Sequence, residues 1–176
     1  MLDNPHYQAI SEFYGRRRAL RSQIPLVSHI DDGLRILDAL GSSIEAKEAF
    51  CIHPMLQDDD SLRDSLKPDS VFRKWALDSH VVVLAMEYRS VANAYLSQHF
   101  RSSEDHIMLS ALPDVNDLLI ADKVQNRKDF EIHHRNTHEN REILAQYFDN
   151  WLRRLAVSEV RYTELVSIVP TDKSAD

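Results

Sequence analysis

Only three of the 176 residues are glycine and six are proline, and this scarcity constrains the fold more than any motif does. A strand-rich chain needs a tight turn about every ten residues, and such turns draw on glycine and proline at set positions. A chain this poor in both is committed to long helices. With 43% hydrophobic residues it has enough apolar surface and length to bury one core. The expectation is a single all-α domain.

Apolar spacing divides the chain into about seven helices. The first is expected over residues 6 to 22, with Pro25 breaking the chain after it. A second begins near Ser28 and carries Ile30, Leu34, Leu37 and Leu40 at helical intervals. Gly41 ends it, and Ser42 or Ser43 caps a third, with Glu45 in its first turn. That third helix holds Ala46, Ala49, Phe50 and Ile52 and then meets Pro54. Proline removes a backbone donor and crowds the carbonyl of Phe50, so a kink or a restart is expected there. Asp58, Asp59 and Asp60 read as a turn or cap. Further helices are expected from Asp69 through Trp75 and over residues 80 to 99. The latter turns Val81, Leu84, Ala85, Tyr88, Val91, Ala92 and Tyr95 inward. Pro113 suits the first turn of a helix containing Leu118, Leu119, Ala121 and Val124. The last strong helix spans Glu139 to Leu155, with Ile143, Leu144, Tyr147, Trp151 and Leu155 inward. No linker interrupts residues 1–170, and 171–176 read as a frayed tail.

Charge and cysteine content exclude several classes. The formal net charge is −7, so the basic footprint of a nucleic-acid binder is missing and nucleic acid is not an expected partner. The local run Arg16, Arg17, Arg18 and then Arg21 suits either phosphate contacts or a solvated helix face. A lone cysteine, Cys51, leaves no internal disulfide and fits a reducing compartment. The first residues lack the basic-then-apolar pattern of a secretion signal. The longest apolar run, Val81 to Met86, is far too short for a bilayer. A soluble, cytoplasmic protein without a membrane partner is expected.

Three residues carry metal chemistry by type: His29 at a helix start, His53 at the end of an apolar helix, and Asp122. Singly, each has an ordinary reading. A histidine beside an apolar helix is more often a hydrogen-bonded core residue, and an aspartate next to lysine is usually a surface ion-pair partner. The histidines 133, 134 and 138 read as a polar loop, and Asp59 and Asp60 as a solvated turn.

Taken together, the stretches around these residues resemble the HD-domain superfamily. Within it they are most similar to the RelA/SpoT-type ppGpp 3′-pyrophosphohydrolases, including the small single-domain SpoT homologues. The segment from Arg21 through Pro25 to His29 looks like the family's entry to its first metal histidine, with the arginine displaced by one position and the family's glycine absent. His53 falls at the interval of the histidine in the His-Asp pair. Ala121-Asp122-Lys123-Val124-Gln125-Asn126-Arg127-Lys128-Asp129 is similar to the signature that supplies the last metal ligand and a nucleotide contact. Tyr147, Phe148 and Trp151 resemble the helix that follows. The likeness spans roughly residues 16 to 155, with 61–110 alike in helical character only.

The resemblance implies an HD-like helical bundle with a divalent metal, Mn²⁺ or else Fe²⁺ or Zn²⁺, on His29, His53 and Asp122, and no organic cofactor. It implies Gln57 and Asp58 at the catalytic pair, and Arg18 or Arg21, Lys123, Asn126 and Arg127 towards substrate. The ligand class it implies is a nucleotide, a (p)ppGpp-like molecule or another phosphorylated small molecule. Two departures alter the expectation. Pro54 stands where the family has the aspartate of its His-Asp pair, and Gln57 stands where it has the catalytic glutamate. Two histidines and one carboxylate still form a recognised three-ligand set. Loss of proton-transfer capacity typically costs about 10² to 10⁴ in rate. The expected function is therefore a divergent metal-dependent phosphohydrolase with impaired or altered activity. The alternative is a non-catalytic module of the same fold that binds a nucleotide or a protein partner.

Overall fold

The computed structural model describes residues 3–20 and 22–170. Arg21, one of the expected substrate contacts, and the tail 171–176 lie outside the described residues. The described chain is all-helical, with nine α-helices and no named strand. They are α1 (Pro5–Tyr14), α2 (Val27–Leu40), α3 (Ile44–Gln57), α4 (Asp59–Ser65), α5 (Val71–Lys74), α6 (Ser79–Ala94), α7 (Pro113–Asp129), α8 (Arg141–Arg154) and α9 (Glu159–Ser167). The two beyond the expected seven are α4, which forms where Asp58 to Asp60 were expected as a turn or cap, and α9, which follows the last helix expected. None of the described helices is long and apolar enough to cross a membrane.

Several boundaries differ from expectation for identifiable reasons. α1 stops at Tyr14, because Gly15 adopts φ +53° and its N–H turns back to the Ser11 carbonyl. The left-handed conformation is cheap only for glycine. Arg16 to Arg18 therefore leave the helix and enter a loop, where Arg18 pairs with Pro25 in an isolated bridge. α6 ends at Ala94, short of residue 99. On α8, Phe148 and Leu152 join Tyr147 and Trp151 in the core, whereas Ile143 is 44% exposed in the first turn. Ser43 caps α3 by accepting from Ala46 N, and Asp58 caps α4 by accepting from Ser61 N.

Pro54 does not restart the helix. α3 runs through it unbroken. Proline has no N–H to give the Phe50 carbonyl four residues back, and His53 fills the vacancy: its Nδ1 lies 2.7 Å from that oxygen.

α3 sits at the centre of the bundle, packed by α6, α1, α7 and α2. From Ala49 onward α3 is enclosed on nearly every side, which demands apolar residues all round, and Ala49, Phe50, Cys51, Ile52, Met55 and Leu56 meet that demand. α7 is similarly enclosed by α2, α6, α3, α8 and α9. Yet it buries Asp122, Lys123, Gln125 and Lys128. α2 lies against both, and its approach to α3 depends on Gly33, beside which the Phe50 ring is seated. His29, His53 and Asp122 thus sit on three helices that pack on one another.

Candidate metal centre

The three side chains converge. His29 Nε2 lies 3.4 Å from His53 Nε2 and 3.6 Å from Asp122 Oδ1, and His53 Nε2 lies 3.9 Å from the same oxygen. The point equidistant from all three lies in their plane at about 2.1 Å from each. That is the bond length first-row divalent ions keep to imidazole nitrogen and carboxylate oxygen. Among the described residues this is the one group of histidine, cysteine and acidic side chains close enough to share an ion.

The outer bonds determine where the protons are. His53 Nδ1 faces a carbonyl, which can only accept, so Nδ1 carries the hydrogen and Nε2 presents its lone pair. His29 Nδ1 lies 2.6 Å from Gln125 Oε1, again an acceptor. The orientation of that amide is set by its other end, where Gln125 Nε2 donates to Asp129 Oδ2 at 2.5 Å. Two bare nitrogens and a carboxylate oxygen therefore face one another with no hydrogen among them. Such a cluster repels itself unless a cation sits in its middle, and the donor set suits a divalent ion of the first transition row.

Asp122 is held ionised. Burial opposes its charge, but the Lys123 ammonium at 2.8 Å outweighs that, and the carboxyl stays below the usual range. Asn126 Nδ2 donates to Asp122 Oδ1 at 2.8 Å. Burial pushes His53 down to about 3, with the neighbouring His29 adding to the effect. A neutral imidazole and an ionised carboxylate are the ligand forms a metal needs.

This depression of His53 carries a pH dependence for the metal-free chain. A histidine whose folded pKa lies below its unfolded value contributes stability that is complete above about 6.5 and is lost as pH falls towards about 3. The loss accumulates at about 1.4 kcal/mol per pH unit below the unfolded value, or about 2 kcal/mol by pH 5. His6, lowered by burial, acts in the same sense, while Asp32 and Asp117, raised by burial, oppose it nearer the carboxylate range. Denaturant midpoints should drop between pH 7 and pH 5, and His53→Gln should flatten the profile. A midpoint unmoved over that interval contradicts the assignment.

The triad lies at the wall of a cleft of about 520 Å³, lined also by Tyr14, Arg17, Ser28, Asp32, Lys128 and Asp129. Gln57 and Asp58 line it too, but both are engaged. The Gln57 amide donates to Asn93 Oδ1 at 3.2 Å. Asp58 accepts from Ser61 N and Oγ at 2.8 and 2.7 Å, and the backbone bond holds its carboxyl below the usual range. Asn126 and Lys123 reach the cleft as partners of Asp122, and the Lys123 ammonium sits 5.1 Å from the Trp151 ring centroid. Arg127 points elsewhere. It spans Glu131 and Glu159 at 2.7 to 3.0 Å with its guanidinium over Tyr162, and it takes no part in the cleft lining. Arg18 donates to the Gln23 carbonyl at 2.7 Å outside the lining, and Arg17 takes the place on the wall. Asp59 pairs with Arg89, and Asp60 with Arg63, both on the surface.

Four site residues receive no role from the sequence: Asp32, and Gln125, Lys128 and Asp129, which stand inside the family-like stretch around Asp122. Lys128 Nζ donates to Asp32 Oδ2 at 2.9 Å across α2 and α7. A signal for them exists in the spacing. Asp122, Gln125, Asn126 and Asp129 recur at i, i+3, i+4 and i+7, a polar stripe along one helix face where an enclosed helix should be apolar. No protein-family model, curated protein or solved structure matches this chain, and the geometry of the three convergent ligands is what characterises it.

Proposed function

We propose that the chain is a divergent HD-type protein whose His29, His53 and Asp122 hold one divalent metal ion for phosphoester chemistry on a nucleotide or another phosphorylated small molecule. One observation carries this reading: two imidazole nitrogens and a carboxylate oxygen from three helices meet at ligand distance, and the outer nitrogen of each ring faces an acceptor that draws its proton away from the centre. When bound, the ion would lower the pKa of a coordinated water and draw charge from a phosphoryl oxygen.

The chain's own residues divide the remaining work. His53 and Asp122 are buried and fixed, while His29, at the first turn of α2, is the partly exposed ligand beside the cleft. Charged groups on the cleft wall are three cations, Arg17, Lys123 and Lys128, against four carboxylates, Asp32, Asp58, Asp122 and Asp129. A divalent ion reverses that balance from net negative to net positive, so an anionic ligand is favoured once metal is present. Gln57 can orient a water but cannot take its proton, which favours slow turnover.

A second reading, a binding module without catalysis, is favoured by the commitments of Gln57 and Asp58, whose side chains already serve Asn93 and the cap of α4. The two separate in one series of measurements on protein purified without chelator. Metal analysis is expected to find about one ion per chain. Mn²⁺, Fe²⁺ or Zn²⁺ at 100 times its dissociation constant is expected to add about 2.7 kcal/mol, a rise of about 5 to 11 °C in midpoint for a domain of this size. Phosphate release from ppGpp and from nucleotides is expected to be slow but metal-dependent. Nucleotide binding without release supports the second reading. Absence of both bound ion and metal-induced stabilisation overturns the proposal.

A further inference from the structure

We propose that Gln125, backed by Asp129, is the positioning residue that makes His29 a metal ligand; this inference rests on the metal-centre reading above. His29 is the third residue of α2, in a first turn that has no side-chain cap. Its ring is the least enclosed of the three ligands. Nothing in its own helix fixes which nitrogen faces the centre, so the orientation must come from a tertiary bond. Gln125 supplies it, 96 residues away along the chain and 2% exposed.

The amide is directional. Its two ends are chemically unlike, one donating and one accepting. Asp129 Oδ2 can only accept, so it claims the Gln125 NH₂ at 2.5 Å and leaves Oε1 facing His29 Nδ1 at 2.6 Å. An amide turned the other way would set its oxygen against a carboxylate and its NH₂ against Nδ1. His29 would then carry its proton on Nε2, the atom 3.4 Å from His53 Nε2, and could not ligate. The usual outer partner of a metal-bound histidine is a carboxylate or a carbonyl. Here a carboxylate acts through an amide, and Asp129 itself lies 3.9 Å from Lys128, which is anchored on Asp32 in α2. His53 needs no such chain, because the proline after it frees a carbonyl within its own helix.

The test compares Gln125→Leu, Asp129→Asn and the double variant Gln125→Glu with Asp129→Asn against the parent chain. Histidine tautomers are read by ¹⁵N NMR in the metal-free protein, and affinity is read by titration with Co²⁺ in the visible region. In the parent, His29 is expected as the Nδ1–H tautomer. Gln125→Leu is expected to move the proton to Nε2 and to weaken Co²⁺ binding by about 10- to 100-fold, with a changed Co²⁺ spectrum. The double variant Gln125→Glu with Asp129→Asn puts the donor on residue 129 instead, keeps an acceptor on Nδ1, and is expected to recover most of the affinity lost in Gln125→Leu. Asp129→Asn, a milder change at a partly exposed site, is expected to give an intermediate loss and keeps the test alive if Gln125→Leu does not fold. A Gln125→Leu or Asp129→Asn protein with the parent's tautomer and the parent's Co²⁺ affinity overturns the inference. If the parent itself takes up no Co²⁺, the metal reading fails, and the metal-free tautomers alone then decide whether Gln125 sets His29.

Discussion

Asp122→Ala is expected to cost about 3 to 5 kcal/mol of folding stability and to abolish ion uptake. The cost comes from what the substitution leaves behind. Lys123 is 5% exposed, and its ammonium lies 2.8 Å from Asp122 Oδ2 and 5.1 Å from the Trp151 ring centroid. Burial disfavours that charge, and the Asp122 carboxylate is what restores it. Removing the carboxylate strands a cation in the bundle, with the Tyr147 hydroxyl and the Trp151 ring left to soften the loss. Asn126 Nδ2 loses its acceptor as well. For a domain of this size the drop corresponds to about 6 to 20 °C in thermal midpoint. The double variant Asp122→Ala with Lys123→Met separates the two roles. Taking away both charges should recover most of the stability, while ion uptake stays absent because a ligand is still missing. An Asp122→Ala protein that unfolds at the parental denaturant concentration would show that Lys123 does not depend on Asp122.

The helical class could be read from glycine scarcity, and the apolar spacing located α2, α3, α6, α7 and α8. What spacing could not see was local backbone chemistry. Gly15 ends α1 at Tyr14, eight residues before the expected end at residue 22, so the arginine run lost its helix face. Pro54 reads as a lesion, since a proline inside a helix should break it and cannot bind metal. In the folded chain its missing donor leaves the Phe50 carbonyl to His53, and the lesion becomes part of how that ring is aimed. The three ligands were legible only through the family likeness of the stretches around them, since each alone had an ordinary reading. The charged partners were not, because Lys123 and Arg127 look alike on paper. One is sunk against Asp122 and the other is spent on Glu131 and Glu159. Only three-dimensional packing tells a buried counter-ion from a surface one.

Gly33→Ala sets two rules against each other and decides which governs α2. Helix propensity says the change should stabilise, since glycine in a helix interior costs about 1 kcal/mol relative to alanine. Sterics say the reverse. A Cβ at Gly33 would stand 2.0 and 2.1 Å from Cε1 and Cζ of Phe50, inside any contact distance. The ring cannot swing aside, because Phe50 is fully buried and packs on His53 at 4.7 Å and His29 at 5.5 Å between centroids. α2 and α3 must therefore separate, at the cost of about 1 to 3 kcal/mol typical of overpacking, or more, which exceeds the propensity gain. Because one ligand histidine rides on each helix, the same separation should open the 3.4 Å gap between their Nε2 atoms and weaken Co²⁺ binding. Phe50→Leu in the Gly33→Ala background should relieve the clash and restore part of the stability, a coupling that independent sites would not show. A thermal midpoint raised by Gly33→Ala alone would mean that propensity prevails, and that the close approach of α2 to α3 is not what brings the histidines together.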